Sequence, residues 1–277
     1  MDAEIVTVGT ELLLGLTVDT NAADLGRLLA ASGVRVVRRT SVADEHAEIR
    51  DALRAALARA RLVVVSGGLG PTRDDVTKRA VAEVLGRRLV SDAALLEHLQ
   101  DLFRRRGIPK MPDANRSQAD VPEGATVIPN RWGTAPGLWL ENGDGRVVVL
   151  LPGVPSELRA MAEHEVLPRL REKLRGNGAP ADGGTEVVRS RVLRTTGIAE
   201  AALADLVGDP ARLLPQSVTL AWLPSLEGTD LRLTAWRLGE AEADAALEAA
   251  AQALLPRLGA WCYGEGEADL AAVVLDL

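Results

Sequence analysis

Short apolar runs and amphipathic stretches alternate along the N-terminal part of the chain. Three runs have the β-branched composition of strands, and the third is apolar throughout, as expected for a strand buried on both faces. Each is followed by a stretch that repeats apolar residues at helical spacing. This order predicts a parallel sheet covered by helices. The strands are Glu4–Gly9, Val34–Val42 and Arg61–Ser66, and the helices are 20–33, 44–60 and 74–86.

The pattern then continues through a helix, a long aperiodic stretch and three more strands. Residues 91–107 are predicted to form a helix that ends at Gly107. Residues 108–124 show no periodicity, and a loop of this length inside a compact domain often serves as a lid or binding loop. The remaining strands are predicted at 125–130, 137–142 and 146–153, and a helix with Pro155 in its first turn at 154–174.

A second, smaller domain is predicted after a stretch rich in Gly, Ala and Pro. The order of elements beyond that stretch is β-α-β-β-α-β, which is typical of a small split βαβ layer. We therefore expect a larger α/β domain at 1–174, a linker at 175–183, an α+β domain at 184–264, and the start of a further connection at 265–277.

Composition narrows the class of protein. The chain has 277 residues, a net charge of −7 and a pI near 5.2, and such an acidic balance argues against nucleic acid as a partner. The single cysteine, Cys262, allows no disulfide within the chain and fits a reducing compartment. The N-terminus lacks a signal peptide pattern and no apolar run is long enough to span a membrane. We expect a cytoplasmic protein with no membrane partner.

Candidate binding residues follow the carboxyl ends of the predicted parallel strands. Ligands of open α/β sheets bind at this edge, so segments that are distant in sequence should meet there. A further segment, Asn130–Gly137, could bring N–H and hydroxyl groups to the same pocket, or could be a structural hairpin. The candidates are Gly9, Thr10, Glu11, Asn21, Asp44, Ser66, Gly67, Gly68, Gly70, Pro71, Thr72, Gly133, Thr134, Pro152, Gly153 and Glu157.

The glycine-rich turn SGGLGPTRDD is the most specific of these segments. Glycines expose backbone N–H groups and allow close approach of a ligand, and a helix that follows them favours an anion. The turn is neither a Walker A loop nor a G-x-G-x-x-G motif. The alternative is a tight strand-to-helix turn in which Thr72 and Asp75 form a capping box.

Two adjacent aspartates follow this turn, and a carboxylate would repel a bound phosphate. The conflict disappears if a divalent cation lies between them, since Mg²⁺ commonly binds through one or two carboxylates together with phosphate oxygens. The predicted rim has several carboxylates that could hold the ion: Glu11, Asp19, Asp44, Asp75 and Glu157. The sequence therefore favours a nucleotide or another phosphorylated ligand with Mg²⁺, and we expect Asp44, Asp75 and Glu157 to hold the metal.

Four segments together resemble the N-terminal half of CinA proteins (competence/damage-inducible protein A). They are VGTELLLGLTVDTN (8–21), SGGLGPTRDDVT (66–77), NRWGTAPG (130–137) and LLPGVPSE (150–157). The resemblance covers about residues 1–174 and implies a three-layer α/β/α domain of the MogA/MoaB type. The second domain is similar in position and pattern to the KH-like domain of CinA.

The resemblance also implies an activity. CinA proteins are associated with Mg²⁺- and K⁺-dependent hydrolysis of ADP-ribose to AMP and ribose 5-phosphate, and a homodimer is expected. Their molybdopterin-binding relatives bind or adenylylate molybdopterin, and the two aspartates that carry this chemistry match Asp44 and Asp75. The alternatives are a molybdopterin-binding or adenylylating protein, and a competence-associated protein without enzymatic activity.

Two features of the family are not carried over to this sequence. Many CinA proteins continue into a nicotinamide mononucleotide deamidase domain with a Glu-Ser-Cys-Thr-Gly-Gly motif, and the sequence ends at Leu277 before such a motif. We therefore expect no deamidase activity. The second domain has no G-x-x-G clamp, so tight RNA binding is not expected either.

Overall fold

A computed structural model describes residues 1–176 and 187–276, apart from the side chains of residues 175, 176 and 237. The chain divides into two compact units. One consists of Met1–Leu29 with Val34–Lys173, and the other of Leu174–Leu277 with Ala30–Gly33. The linker expected at 175–183 lies almost entirely outside the described residues.

The first unit is built on a six-stranded sheet. The strands of this unit are β1 Asp2–Val8, β2 Arg35–Val42, β3 Leu62–Ser66, β4 Leu89–Ser91, β5 Asp120–Pro122, β6 Thr126–Ile128, β7 Gly137–Glu141 and β8 Val147–Leu151. A separate two-stranded sheet is formed by β4 and β5. The strand order in the six-stranded sheet is β2-β1-β3-β8-β7-β6. The first four of these strands run parallel, and β7 and β6 are antiparallel additions at one side.

Helices cover the sheet because its central strands are apolar on both faces. Every residue of β3 is buried, as its continuous apolar run predicts, and every residue of β8 is buried as well. Alternate residues of β1, β3 and β8 pack with residues of α3, α4 and α5 in one core cluster. The helices are α1 Thr10–Leu13, α2 Thr20–Ala31, α3 His46–Arg59, α4 Thr77–Val84, α5 Ala93–Arg105, α6 Pro155–Met161 and α7 Leu167–Gly176, with a π-helical turn at Ala162–Val166 joining the last two.

The stretch 108–124 contains more structure than its lack of periodicity suggested. A 3₁₀ helix spans Asp113–Ala119, and strand β5 follows it directly and pairs with β4. A 3₁₀ turn and a three-residue strand are each too short to establish a hydrophobic period, so pattern analysis misses them.

The second unit forms a four-stranded antiparallel sheet in the order β10-β11-β9-β12. Its elements are β9 Val187–Thr195, α8 Glu200–Val207, α9 Pro210–Leu213, β10 Val218–Pro224, β11 Thr229–Leu238, α10 Glu240–Leu258, β12 Cys262–Glu265 and α11 Leu270–Leu275. One face of the sheet packs on α8 and α10, and Cys262 lies against this core. The predicted fold class, an α/β domain with a smaller α+β domain, is confirmed. No helix among the described residues is both long and apolar enough to cross a bilayer.

The turn after β3 depends on a glycine that no other residue can replace. Gly67 has φ of +102°, and a Cβ built on it overlaps the carbonyl oxygen of Val8 at the end of β1. Gly86, which follows α4, also has a positive φ of +63°, but a Cβ there meets no atom within 4 Å. Alanine substitution at Gly86 therefore measures backbone strain alone, whereas substitution at Gly67 measures strain together with steric overlap.

We expect Gly67→Ala to lower the free energy of unfolding by about 3 kcal/mol, from left-handed backbone strain plus overpacking. Gly86→Ala, the matched control, carries only the strain and should cost about 1 kcal/mol. Urea denaturation of both variants measures the difference. Equal losses would show that the overlap with Val8 relaxes without cost.

Candidate functional site

The carboxyl ends of β1, β2, β3 and β8 meet at one edge of the sheet. Backbone hydrogen bonds connect the turns there: the Gly9 N–H donates to the Val42 carbonyl at 3.0 Å, and the Gly67 N–H donates to the Leu151 carbonyl at 3.1 Å. A Cβ on Gly153 would lie 3.4 Å from the Gly67 Cα, so the turns after β3 and β8 are in direct contact. Sequence segments up to about 150 residues apart therefore form one continuous rim.

Asn21 joins the turns after β3 and β8. Its side-chain amide donates to Ser66 Oγ at 3.0 Å and to the Gly153 carbonyl at 2.7 Å. Ser66 Oγ in turn lies 3.3 Å from the Pro152 carbonyl. Asn21 Oδ1 is buried and has no hydrogen-bond partner among the described residues. An unpartnered buried oxygen is costly, so this atom is available to a ligand or cation.

Asp44 is fixed by the turn that follows β1. Its Oδ2 accepts hydrogen bonds from the Thr10 N–H at 2.8 Å and from Thr10 Oγ1 at 3.0 Å. Its Oδ1 accepts no hydrogen bond from the described residues, and the side chain is half-buried. Asp44 therefore has a fixed orientation and one carboxylate oxygen that is still open to a ligand.

Asp75 closes the glycine loop from within. Its Oδ1 accepts the Gly70 N–H at 2.7 Å, and its Oδ2 accepts the Thr72 N–H at 2.7 Å and Thr72 Oγ1 at 2.6 Å. Helix α4 begins only at Thr77, with Val76 as its N-cap residue. The proposed capping box is therefore not formed: Thr72 and Asp75 interact, but they brace the loop that precedes the helix.

The start of α4 packs directly on the glycine turn. Thr77 is fully buried, and its hydroxyl donates to the Gly67 carbonyl at 2.9 Å. A Cβ on Gly68, whose φ is +67°, would overlap the Thr77 hydroxyl. The N–H groups of Gly68 and Leu69 take no part in the hydrogen bonds of the described chain. These two donors and the positive end of α4 suit an oxyanion.

Glu157 is engaged away from the two aspartates. Its Oε2 accepts a hydrogen bond from Asn130 Nδ2 at 2.6 Å, and its carboxylate fills the space above Gly133. No group of three or more His, Cys, Asp or Glu side chains in the described residues is arranged to hold a metal. The structure thus does not assemble the three-carboxylate set of Asp44, Asp75 and Glu157, because Glu157 stabilises the 130–137 loop.

Gly133 and Thr134 line a cavity of their own beside α5. This cavity, of about 250 Å³, is formed mainly by apolar side chains, including Leu95, Leu99 and Leu102. Asn130 holds the loop in place, since its Oδ1 accepts the N–H groups of residues 132 and 133 at 3.0 and 2.9 Å. The described contacts do not bring Gly133 or Thr134 to the glycine loop.

Lys78 is a buried cation that sequence analysis did not identify. It is only 6% exposed, and its Nζ donates to the Ser117 carbonyl at 2.6 Å. It borders a cleft of about 620 Å³ that extends from the glycine loop to the 3₁₀ segment. Burial lowers the pKa of Lys78 to about 8, although the nearby carboxylates of Asp120 and Asp75 act to raise it.

A signal for Lys78 is present in the sequence in retrospect. Residues 77, 78, 80, 81 and 82 are the buried residues of α4, and Lys78 is the charged one among them. A lysine among the apolar positions of a short helix is rarely buried without a function or a partner. Glu11 and Asp19 are less directly involved in the site: Glu11 folds over Gly9, and Asp19 caps α2 by accepting the Ala22 N–H at 2.9 Å.

A three-layer α/β domain with this glycine-loop edge is the architecture of molybdopterin-binding domains. Residues 4–172 match the family model described as "Probable molybdopterin binding domain", and residues 190–264 match the model of the "Damage-inducible protein CinA KH domain". The chain therefore belongs to the probable molybdopterin binding domain family, with a CinA KH domain as its second unit. The resemblance to CinA proteins is confirmed.

Relatives that match most of the chain carry CinA names. The chain is 50% identical over 276 residues to a CinA-like protein of Gemmatimonas aurantiaca, covering 100% of this chain and 63% of the relative. It is 43% identical to a CinA-like protein of Salinibacter ruber, covering 85% of this chain and 55% of the relative. The chain thus spans less than two thirds of these relatives.

A solved structure of CinA from Thermoplasma acidophilum, described as a protein of unknown function, resembles the first unit. It is 40% identical, with a TM-score of 0.55, and the match covers 58% of this chain and 94% of that chain.

Lys78 should make stability depend on pH in an unusual direction. Its pKa is about 8 in the folded chain, against 10.5 for an unperturbed lysine. Between these values the unfolded chain binds the proton and the folded chain does not, so stability rises with pH. We expect Lys78→Met to remove a gain of about 3 kcal/mol between pH 8 and pH 10.5. Urea denaturation of both proteins across this range measures it, and parallel pH profiles would contradict the assignment.

Proposed function

We propose that the first unit hydrolyses the pyrophosphate bond of ADP-ribose in a Mg²⁺-dependent reaction, giving AMP and ribose 5-phosphate. One observation carries the proposal: the rim combines two oriented carboxylates, Asp44 and Asp75, with the free N–H groups of Gly68 and Leu69. The carboxylates suit a cation, and the N–H groups suit the phosphate oxygens that share it. The match to CinA proteins supports the choice of substrate.

The residues present fit a hydrated Mg²⁺ ion. Asp44 has one open oxygen, and a carboxylate has about four acceptor sites, of which Asp75 uses three. Asn21 contributes a further unpartnered oxygen at the same rim, and an amide oxygen is also a suitable ligand for K⁺. When bound, Mg²⁺ would neutralise the charge that develops on the pyrophosphate oxygens. Asp44, with its open oxygen, and Asp75 would hold the ion.

The protein groups have separate tasks in this reaction. Gly68 and Leu69 donate hydrogen bonds to the phosphate oxygens and orient the diphosphate along the rim. A water oxygen forms a bond to one phosphorus, and the bond from that phosphorus to the bridging oxygen breaks. The bridging oxygen leaves with the other phosphate, and the water loses a proton to solvent. Thr10 keeps Asp44 in the orientation that this arrangement requires.

The Asp44→Asn variant tests whether the reaction requires the negative charge of Asp44. Its amide oxygen can keep both hydrogen bonds with Thr10, so the turn should stay intact while the open oxygen becomes an NH₂ group. We expect kcat on ADP-ribose to fall by at least about 100-fold and the half-saturating Mg²⁺ concentration to rise, with an unchanged melting temperature. AMP release at varied Mg²⁺ is the measurement.

Asp74→Asn is the matched control, since Asp74 is exposed and adjacent to Asp75 in the same loop. It should keep near-normal turnover. Asp75→Asn should lose both turnover and stability, because an amide NH₂ would face the N–H groups that its carboxylate now accepts. Normal Mg²⁺ dependence in Asp44→Asn would refute the role of the carboxylate, and absence of AMP release by the unaltered chain would refute the activity itself.

A second candidate function is molybdopterin binding or adenylylation at the same rim. The family model that matches residues 4–172 supports it. The two candidates differ in their substrates: hydrolysis requires ADP-ribose and water, whereas adenylylation requires ATP and molybdopterin. Incubation with each substrate set, followed by chromatography of the adenine nucleotides, separates them.

A further inference from the structure

The buried ammonium group of Lys78 has more donors than the described chain uses. An ammonium group has three N–H donors, and Ser117 accepts one of them. The carboxylates of Asp75 and Asp120 lie close enough to influence its charge, but neither forms a hydrogen bond with it. Burial of a cation that is only 6% exposed is costly, and a ligand that accepts hydrogen bonds from its remaining donors would offset that cost.

The cleft beside Lys78 is lined by both signs of charge. Three cationic side chains, Arg73, Lys78 and Arg79, and three carboxylates, Asp75, Asp113 and Asp120, border its volume of about 620 Å³. Arg73 and Arg79 are exposed, whereas Lys78 is buried. The cleft shares Gly70, Thr72 and Asp75 with the glycine loop, so it is continuous with the rim.

This lining suits a phosphorylated sugar better than a nucleobase. Phosphate oxygens accept hydrogen bonds from ammonium and guanidinium groups, whereas sugar hydroxyls donate to carboxylates. A planar base needs apolar faces, and few apolar side chains border the cleft, with Val76 and Leu89 among them. A simple polyanion would be repelled by the three carboxylates.

We propose that this cleft is a sugar-phosphate subsite, in which Lys78 donates to the phosphate group and the carboxylates accept from the sugar hydroxyls. The proposal rests on the proposed hydrolysis, because ribose 5-phosphate is one of its two products. Lys78 is then a binding residue for the ribose 5-phosphate half of ADP-ribose. Its bond to Ser117 holds the 3₁₀ segment in place as the wall of the cleft.

Product binding without turnover tests the subsite. The 277-residue chain is titrated calorimetrically with ribose 5-phosphate and, separately, with AMP. We expect Lys78→Met to weaken ribose 5-phosphate binding at least about tenfold, as for a lost charge-assisted hydrogen bond, and to leave AMP binding unchanged. Lys173→Met is the matched control, because Lys173 pairs with Glu141 outside the cleft, and it should change neither affinity.

Other outcomes are distinguishable. No measurable ribose 5-phosphate binding by the unaltered chain, or equal weakening of both ligands by Lys78→Met, overturns the subsite. Binding that depends on Lys78 in a chain that releases no AMP from ADP-ribose supports the subsite and refutes the activity. AMP release from ADP-ribose, together with ribose 5-phosphate binding that Lys78→Met does not weaken, supports the activity and overturns the subsite.

A pH profile of the unaltered chain provides a test that does not depend on folding of the variant. Above pH 7 the phosphate is already a dianion, and the other charged side chains that face the cleft are Arg73, Arg79, Asp75, Asp113 and Asp120. Lys78, with its pKa of about 8, loses its charge in this range. Ribose 5-phosphate binding should weaken by about tenfold between pH 8 and pH 9.5. A flat profile overturns the proposal.

Discussion

The close approach of the Gly67 backbone to the end of β1 is the constraint on which the site depends. The turn after β3 can lie against the Val8 carbonyl because residue 67 has no Cβ and adopts a positive φ, and the Gly67 N–H also donates to the Leu151 carbonyl at the end of β8. These contacts bring the carboxyl ends of three parallel strands together. It also positions Thr77, whose hydroxyl holds the Gly67 carbonyl, and therefore the start of α4. A ligand at the rim meets backbone groups that the sheet itself has placed.

The two aspartates of the rim have different physical roles although sequence motifs treat them alike. Asp75 uses both oxygens to hold the glycine loop, so its charge mainly organises N–H groups that would otherwise be free. Asp44 accepts hydrogen bonds from Thr10 with one oxygen, and its other oxygen accepts none from the described residues. Substitution of Asp75 therefore disturbs the glycine loop, whereas substitution of Asp44 by Asn removes the charge with little change in shape. Loop architecture and cation affinity can be separated on this basis.

The buried ammonium group of Lys78 carries a cost in stability. Burial of an ammonium group disfavours its charged form, which is why the pKa falls to about 8 despite two carboxylates nearby. An apolar residue at this position of α4 would pack on the core without that cost. A lysine here connects the helix with the 3₁₀ segment through its hydrogen bond to the Ser117 carbonyl, and it borders the cleft.

The sequence by itself determined the order of the longer strands and helices, the burial of β3, and the edge of the sheet at which the candidate site lies. These properties follow from local periodicity and from the rule that parallel strands end at one edge. The same rule placed the glycine turn, Asn21, Ser66 and Gly153 at one edge of the sheet. It could not predict the roles of Glu157, Asp75 and Lys78, because each depends on a hydrogen bond whose partner or geometry the local pattern does not encode. Lys78 and Ser117 are 39 residues apart, and only the folded chain brings them together.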